Sequence, residues 1–530
     1  MLFETAEDRH HAEAIARLVY CNPFLPERME CERQALGAEF VESELAWHFG
    51  SDPSGARPNL AALQRRVEAV AARTRARLVD GAAASLQELR AYEDLVMYLL
   101  YYRNKPVFEQ LILAEPRKVT PRELAEAYER FVADVGHFLG MPGVTFPDDY
   151  EAPVLFACFF QIRRAFAQIF NHIVGGSMPA ARLRAAAWQS IFTHDMRRYR
   201  RVMYDRMGDI TTLITGPSGT GKELVARAIG HSRYIPFDPR KKEFTEDFAG
   251  SFHPLNLSAM SPTLIESELF GHRRGAFTGA LEDRAGWMEV CPPLGTVFLD
   301  EIGELDPAIQ VKLLRVLQTR TFQRLGDTAT RTFRGKIIAA TNRDLGQEMA
   351  DGGFRKDFYY RLCSDIIQTP TLREQVAGSP RELRNLILFI AERVAGAEEA
   401  EAVAAEVYDW IREHLDDDYA WPGNFRELEQ CVRNVLIRMD YRPPRANASR
   451  PAEQLAEDLQ AGRMTAEELL RRYCALVYGQ TRNYEETARR LGLDRRTVKS
   501  KVHALASQDG ATDAAEQQQQ RESTATDPPR

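Results

Sequence analysis

The sequence predicts a multidomain chain: an all-α N-terminal part, a central α/β core closed by a helical lid, and a C-terminal helix-turn-helix. Three observations predict it. In the middle of the chain, short apolar runs ("DITTLIT", "GTVFLD", "KIIAAT") alternate with helical stretches such as "KELVARAI". Strands that are apolar throughout belong to a parallel sheet buried on both faces. The flanking regions lack this alternation and read as helix. Near the end, "NYEETARRLGLDRRTVKSKVHAL" reads as helix, Gly turn, helix.

A length of 530 residues allows several domains. The expected boundaries are 1–185 for a mostly helical front domain and 186–372 for the α/β part. The lid follows over 373–440, a Pro- and Arg-rich linker over 441–464, the helix-turn-helix over 465–505 and a polar, low-complexity, disordered tail over 506–530. In the front part, "TPRELAEAYERFVADVGHFLG" marks a helix: Thr120 as N-cap, Pro121 at the first position, Glu123 completing a capping box, then Leu124, Tyr128, Phe131, Val135 and Leu139 at helical spacing, and Gly140 as a stop. No strand-helix alternation appears there, which argues against a phospho-acceptor receiver. In the lid, Ser379, Pro380 and Glu382 stand in capping-box positions.

Composition excludes some classes. A net charge of −7 means that any contact with nucleic acid must come from a local patch. The seven cysteines form no CxxC pair, which argues against a disulfide framework or a zinc site and fits a reducing cytoplasm. No basic segment followed by an apolar stretch opens the chain, so no signal peptide is expected. The longest apolar runs are too short to span a bilayer, so no membrane contact is expected. His10, His11, His48, His137 and His172 have no metal-ligand spacing.

The chemistry begins at "GPSGTGKE", residues 216–223, placed between a strand and a helix. Gly216, Ser218, Gly219, Thr220 and Gly221 let backbone N–H groups close around phosphates, and Lys222 reaches the β/γ-phosphates. Glu223 stands where a Mg²⁺-ligating hydroxyl usually follows the lysine. "GTVFLDEIGEL" ends a strand in Asp300, a ligand for Mg²⁺, and Glu301, which can polarise an attacking water. ATP and Mg²⁺ are the cofactors this set calls for. "AATN" ends another strand at Thr341 and Asn342, and "GFRKDFYYRL" carries Arg355 and Arg361.

Together with "ESELFGHRRGAFTGA", "QVKLLRVLQ" and "WPGNFREL", these stretches resemble the AAA+ domain of bacterial sigma-54-dependent transcriptional activators, over roughly 186–438. The resemblance implies an AAA+ P-loop NTPase that assembles as a ring, usually a hexamer. In that family Glu also follows the Walker A lysine, which accounts for Glu223. The resemblance makes Asp300 and Glu301 the Walker B pair and Asn256 the residue that restrains Glu301. It makes Thr341 and Asn342 sensor I, Arg355 and Arg361 arginine fingers, and Arg426 sensor II. It assigns Gly275, Ala276, Phe277, Thr278, Gly279 and Ala280 to a loop that touches sigma-54 in the RNA polymerase holoenzyme, with Phe277 as an apolar contact on a flexible tip. Pro217 replaces the family's usual acid, and "YIPFDPRKKEFTEDFAGS" is longer than its usual connection.

Ten Lys/Arg against five acids between 463 and 501 make the C-terminal unit locally basic. Gly492 marks the turn and Asp494 caps a second helix presenting Arg495, Arg496, Thr497, Lys499, Ser500 and Lys501, which resembles the Fis-type reader of double-stranded DNA in the same family. The sequence thus points to ATP-driven remodelling of sigma-54 closed complexes by a cytoplasmic oligomer bound at upstream sites. Two alternatives stand beside it. One is an AAA+ remodeller of another target, an unfoldase or loader, against which the GAFTGA hexapeptide and the basic tail argue. The other is a passive DNA-binding repressor with a dead ATPase, against which the intact Lys222, Asp300, Glu301, Arg355 and Arg361 argue.

Overall fold

A computed structural model describes residues 2–42, 58–113, 120–246, 252–377, 379–416, 419–443 and 464–503, with positions 455, 458, 459 and 462. Most of the expected linker, all of the expected tail and part of the long connection lie outside the described residues. The chain divides into two compact units, Met1–Met439 and Asp440–Arg530.

At the centre of the first unit, β1 (Thr212–Thr215), β2 (Phe252–Asn256), β3 (Thr296–Asp300), β4 (Lys336–Thr341) and β5 (Asp365–Gln368) form one sheet in the order β2-β3-β4-β1-β5. Every pairing is parallel. The sheet is buried on both faces, and the strict period of two decides which residue serves which face. Val297, Leu299, Ile337 and Ala339 point into one core with Leu313, Leu317 and Phe358. Phe298, Ile338, Ala340 and Ile367 point into the other.

That second core belongs to the front helices as well: α1 (Ala6–Tyr20), α2 (Glu27–Leu36), α3 (Pro58–Val79), α4 (Leu86–Leu113), α5 (Pro121–Leu139), α6 (Ala152–His172) and α7 (Met178–Phe192). Helix α5 starts as its sequence demands, with the reciprocal Thr120–Glu123 capping box and Leu124, Tyr128 and Phe131 buried. Helices α6 and α7 pack on α8 (Lys222–Gly230), the helix that opens the glycine-rich loop. One apolar core therefore joins Phe160, Ile169 and Trp188 of the front part to Val225, Ile229 and Ile338 of the α/β layer. The expected boundary at 185/186 falls inside α7, not in a linker.

The long connection supplies a further attachment. Phe237–Asp238 and Glu243–Phe244 pair as a small antiparallel ladder. Phe237 meets Tyr128 and Phe156 at ring-centroid distances of 4.5 and 5.0 Å, and Phe244 meets Phe160 at 4.4 Å. Lys242 pairs with Glu129 of α5.

The lid comprises α9 (Pro380–Ala395), α10 (Ala400–His414) and α11 (Asn424–Arg438). Its first cap is half of the expected box. Ser379 accepts the Glu382 N–H at 3.3 Å, but the Glu382 carboxylate accepts the Gly176 N–H at 2.6 Å instead of closing back on its own helix. A buried carboxylate must be hydrogen-bonded, and here the front part supplies the donor.

The second unit holds α12 (Ala466–Thr481), α13 (Tyr484–Leu491) and a further helix over 495–503. Gly492 adopts φ +64° at the turn, a left-handed conformation that glycine adopts without strain.

Candidate functional site

The loop after β1 and the carboxyl end of β3 open on one cavity of about 400 Å³. Strand β1 lies between β4 and β5, where strand order reverses, and open parallel sheets bind ligands at such points. The loop 216–221 follows β1 and takes left-handed φ at Gly216, Gly219 and Gly221. Two of these glycines are also demanded by space. A Cβ on Gly216 would lie 2.2 Å from the Thr369 hydroxyl, and one on Gly219 would lie 2.2 Å from the Gly423 carbonyl of the lid. Thr220 fixes the loop from within by donating to the Pro217 carbonyl at 2.8 Å.

Lys222 is buried, and its ammonium donates to the Gly216 and Pro217 carbonyls at 3.0 and 3.2 Å. Burial lowers its pKa, while the charges of Glu301 and Asp300 oppose that shift. Asp300 is raised, first by burial and then by the neighbouring Glu301. Glu301 sits at φ +57°, a conformation rare for a residue with a Cβ and one that clusters at functional sites. In that conformation its carboxylate accepts the Asn342 N–H at 3.2 Å. Thr341 is fully buried, and its hydroxyl accepts the Arg343 N–H at 3.1 Å. The two strand ends after β3 and β4 are thus tied through Glu301.

Asn256 is placed differently from the expectation. It pairs in register with Asp300, but its side-chain oxygen accepts the N–H and hydroxyl of Ser258 at 3.0 and 2.8 Å. Among the described residues, the hydrogen bond to the Glu301 carboxylate comes from Asn342. Arg426 reaches the loop, donating to the Ser218 hydroxyl at 3.2 Å. Beside it, Asn424 donates to the Ser218 carbonyl at 3.0 Å, and the Phe425 N–H donates to the Gly219 carbonyl at 3.1 Å. The lid helix α11 is seated on the phosphate loop by its first residues. Glu223 turns outward and pairs with Arg227 at 2.7 Å.

Sequence reasoning missed part of the cavity wall. Ile173, Val174 and Leu183 come from the front part, and Phe389 and Arg393 from α9. The α9 pair share the i, i+4 spacing of one helix face, a signal that was available. Nothing local marks the front residues, because only the tertiary packing of α6 and α7 brings them there.

The hexapeptide 275–280 forms a closed turn. The Gly275 N–H donates to the Ala280 carbonyl at 2.8 Å, and the Ala280 N–H to Phe277 at 3.1 Å. Gly275 and Gly279 adopt φ +79° and +103° with open space around them. The base is pinned by reciprocal bonds between His272 and Arg284, both at 2.9 Å. The expectation that Phe277 stands free on a tip needs correcting. Its ring lies 4.9 Å from the His272 ring at 68°, and the residue is half-buried. An apolar ring gains more against a neighbouring ring than in water. Thr278 is exposed, and the strongly exposed apolar residue here is Leu281, 81% accessible.

The central segment is similar to known proteins. Residues 190–368 match the family described as Sigma-54 interaction domain. That match spans all five strands of the sheet. The chain is 45% identical over 227 residues to the Nif-specific regulatory protein of Azotobacter vinelandii, covering 43% of this chain and 40% of that protein. It is 38% identical over 303 residues to the transcriptional regulatory protein ZraR of Klebsiella oxytoca, covering 56% and 63%. The chain therefore spans less than two thirds of the length of these relatives. NtrX from Brucella abortus in complex with ATP aligns with 72% of this chain and 80% of its own at 21% identity and a TM-score of 0.38.

Arg355 and Arg361 lie on the surface of the α/β layer, outside the cavity of their own chain. Arg355 is held by Asp357 at 2.8 and 3.1 Å, and Arg361 donates to the Leu317 carbonyl at 3.2 Å. Among the described residues no cluster of three or more His, Cys, Asp or Glu could hold a metal ion. No helix among them is long and apolar enough to cross a membrane.

In the second unit Asp494 accepts the Thr497 N–H at 2.9 Å and caps the last helix, with Val498 buried and Arg495, Arg496, Lys499 and Ser500 exposed. Arg495 pairs with Glu485 at 3.1 Å and Lys501 with Glu467 at 2.8 Å. Among the described residues the Arg496 and Lys499 side chains have neither hydrogen bond nor ion pair.

Proposed function

We propose that the chain is an ATP-hydrolysing activator of sigma-54-dependent transcription. The observation that carries this reading is the tie between Glu301 and Asn342 at the mouth of a phosphate-binding loop, in a domain that also displays the closed 275–280 turn. ATP occupies the 400 Å³ cavity, its phosphates on the loop and Lys222, with Mg²⁺ at Asp300. Glu301 orients the attacking water. Loss of the γ-phosphate changes what Glu301 and Asn342 hold, and the strand ends pass that change to the 275–280 turn, which contacts sigma-54 polymerase. Arg355 and Arg361, facing outward, complete the cavity of a neighbouring subunit in a ring, and the second unit reads double-stranded DNA through Arg496 and Lys499.

Thr278 is exposed and takes no part in the cavity. Thr278→Ala is therefore expected to hydrolyse ATP at the wild-type rate and to form no open complexes at a sigma-54 promoter. Wild-type open-complex yield from this variant removes the turn from the mechanism.

A further inference from the structure

A loop that turns its N–H groups toward phosphate needs other partners for its carbonyls. Lys222 and Thr220 supply them from within for Gly216 and Pro217. The lid supplies them for the next two residues. Asn424 donates from Nδ2 to the Ser218 carbonyl at 3.0 Å, and the Phe425 N–H donates to that of Gly219 at 3.1 Å. The two halves respond differently to a nucleotide. An ammonium drawn to phosphate gives up its carbonyls, because an anionic oxygen is the stronger acceptor. Asn424 is buried and takes no part in the cavity wall, so phosphate does not compete for its amide.

The same amide has a second partner. Its Oδ1 accepts the Leu372 N–H at 2.9 Å in a buried bond. Leu372 opens the short helix Leu372–Val376, which follows β5 on the way from the sheet to the lid. An N–H at the first position of a helix has no partner within that helix. One side chain therefore joins the phosphate loop, the connection to the lid and the start of α11. Only an amide fits the place, since one end must donate to a carbonyl and the other accept from an N–H. The backbone is shaped around it. Asn424 adopts φ +52°, left-handed backbone that is unfavourable for most residues with a Cβ, tolerated by asparagine and frequent at functional sites. Glu427 holds the turn before it by accepting the Gly423 N–H at 2.7 Å.

We propose that Asn424 is a positioning residue for nucleotide binding: its amide clamps the phosphate loop to the start of the lid, and the loop keeps its grip on phosphate only while α11 stays seated. Arg426 reaches the cavity itself, whereas Asn424 acts through the loop. The proposal rests on the nucleotide-binding reading above, and its test separates the two.

Two variants of the full chain test it. Asn424→Gly removes the amide and keeps left-handed backbone without strain. Asn424→Asp keeps the size and the acceptor for Leu372 but sets an oxygen against the Ser218 carbonyl. Hydrogen exchange of the nucleotide-free chain reads the clamp directly. Peptides covering 216–221 and 372–376 should exchange several-fold faster in both variants, and those of β3 and β4 at the wild-type rate. Affinity for a fluorescent ATP analogue should fall about tenfold in Asn424→Gly and further in Asn424→Asp. In turnover the loss should fall on KM more than on kcat, because saturating nucleotide re-forms the loop. A role confined to stability would instead speed exchange in sheet and lid alike and leave the affinity of the folded protein intact. That result overturns the proposal, as does wild-type affinity in Asn424→Asp. A wild-type chain that binds no analogue counts against the nucleotide reading. The exchange at 216–221 then decides the clamp by itself: faster exchange in the variants upholds it, and an unchanged rate overturns it.

Discussion

At the residue scale, Lys222 and Glu301 divide the work of the cavity between charge and geometry. Lys222 is a buried ammonium whose partners are two carbonyls of its own loop. Carbonyls hold a cation less firmly than anionic oxygens do, so phosphate is the stronger partner for that charge. Glu301 contributes position: its left-handed backbone turns its carboxylate towards Asn342. Two variants separate the roles. Lys222→Ala should lose nucleotide binding, because the phosphate counter-charge is gone. Glu301→Gln keeps shape and hydrogen-bonding capacity but no longer polarises water, so it should bind ATP and hydrolyse it about 10²–10⁴-fold more slowly. Titration with a fluorescent nucleotide and measurement of phosphate release distinguish the two. Normal turnover in Glu301→Gln would take the water-activating role away from Glu301.

At the scale of elements, what the sequence revealed and what it hid follow one physical line. The glycine-rich loop, the strands ending in Asp300 and Thr341, the Thr120 cap and the Val498-in, Arg496-out pattern were all legible, because each depends on residues close in sequence. The role of the long connection was not. Its Phe237 and Phe244 pack on Tyr128, Phe156 and Phe160, more than eighty residues upstream, and no local period announces that. Helices α6 and α7 were hidden in the same way: they read as part of a separate front domain but supply the other wall of the sheet. A protein lacking residues 1–185 keeps only the last turns of α7 and loses α6 from the face of α8. It is expected to be insoluble or unable to bind nucleotide, whereas a chain starting near residue 120 keeps α5, α6, α7 and the aromatic contacts of the connection. Phe160→Ala in the full chain should cost about 3–5 kcal/mol of stability, as large buried aromatics do when truncated. Sedimentation and thermal unfolding measure these outcomes. A folded ATPase beginning at residue 186 would show that the shared core is dispensable.

At the scale of the whole molecule, the question is whether one chain holds a complete active site. The cavity gathers the loop, Lys222, Asp300, Glu301 and the lid residues Arg393 and Arg426. Arg355 and Arg361 are exposed on another surface, where their partners are Asp357 and a helix-terminal carbonyl. Weak surface partners of this kind contribute little and are easily exchanged. Arginines that reach a transferring phosphoryl group from a neighbouring subunit raise rates on the order of 10³–10⁵ in other NTPases. If these two act in that way, Arg361→Ala should bind nucleotide normally and hydrolyse almost none. Lys222→Ala fails for the opposite reason: it keeps its arginines and lacks its phosphate site. Mixing the two inactive proteins then creates some interfaces with a sound loop on one side and a sound arginine on the other. Hydrolysis should reappear in the mixture and rise with the number of such interfaces as the ratio approaches equality. Subunit exchange is followed independently, by energy transfer between labelled chains. If exchange is complete and the mixture stays inactive, Arg361 acts within its own chain or not at all, and assembly has to serve something other than completing the site.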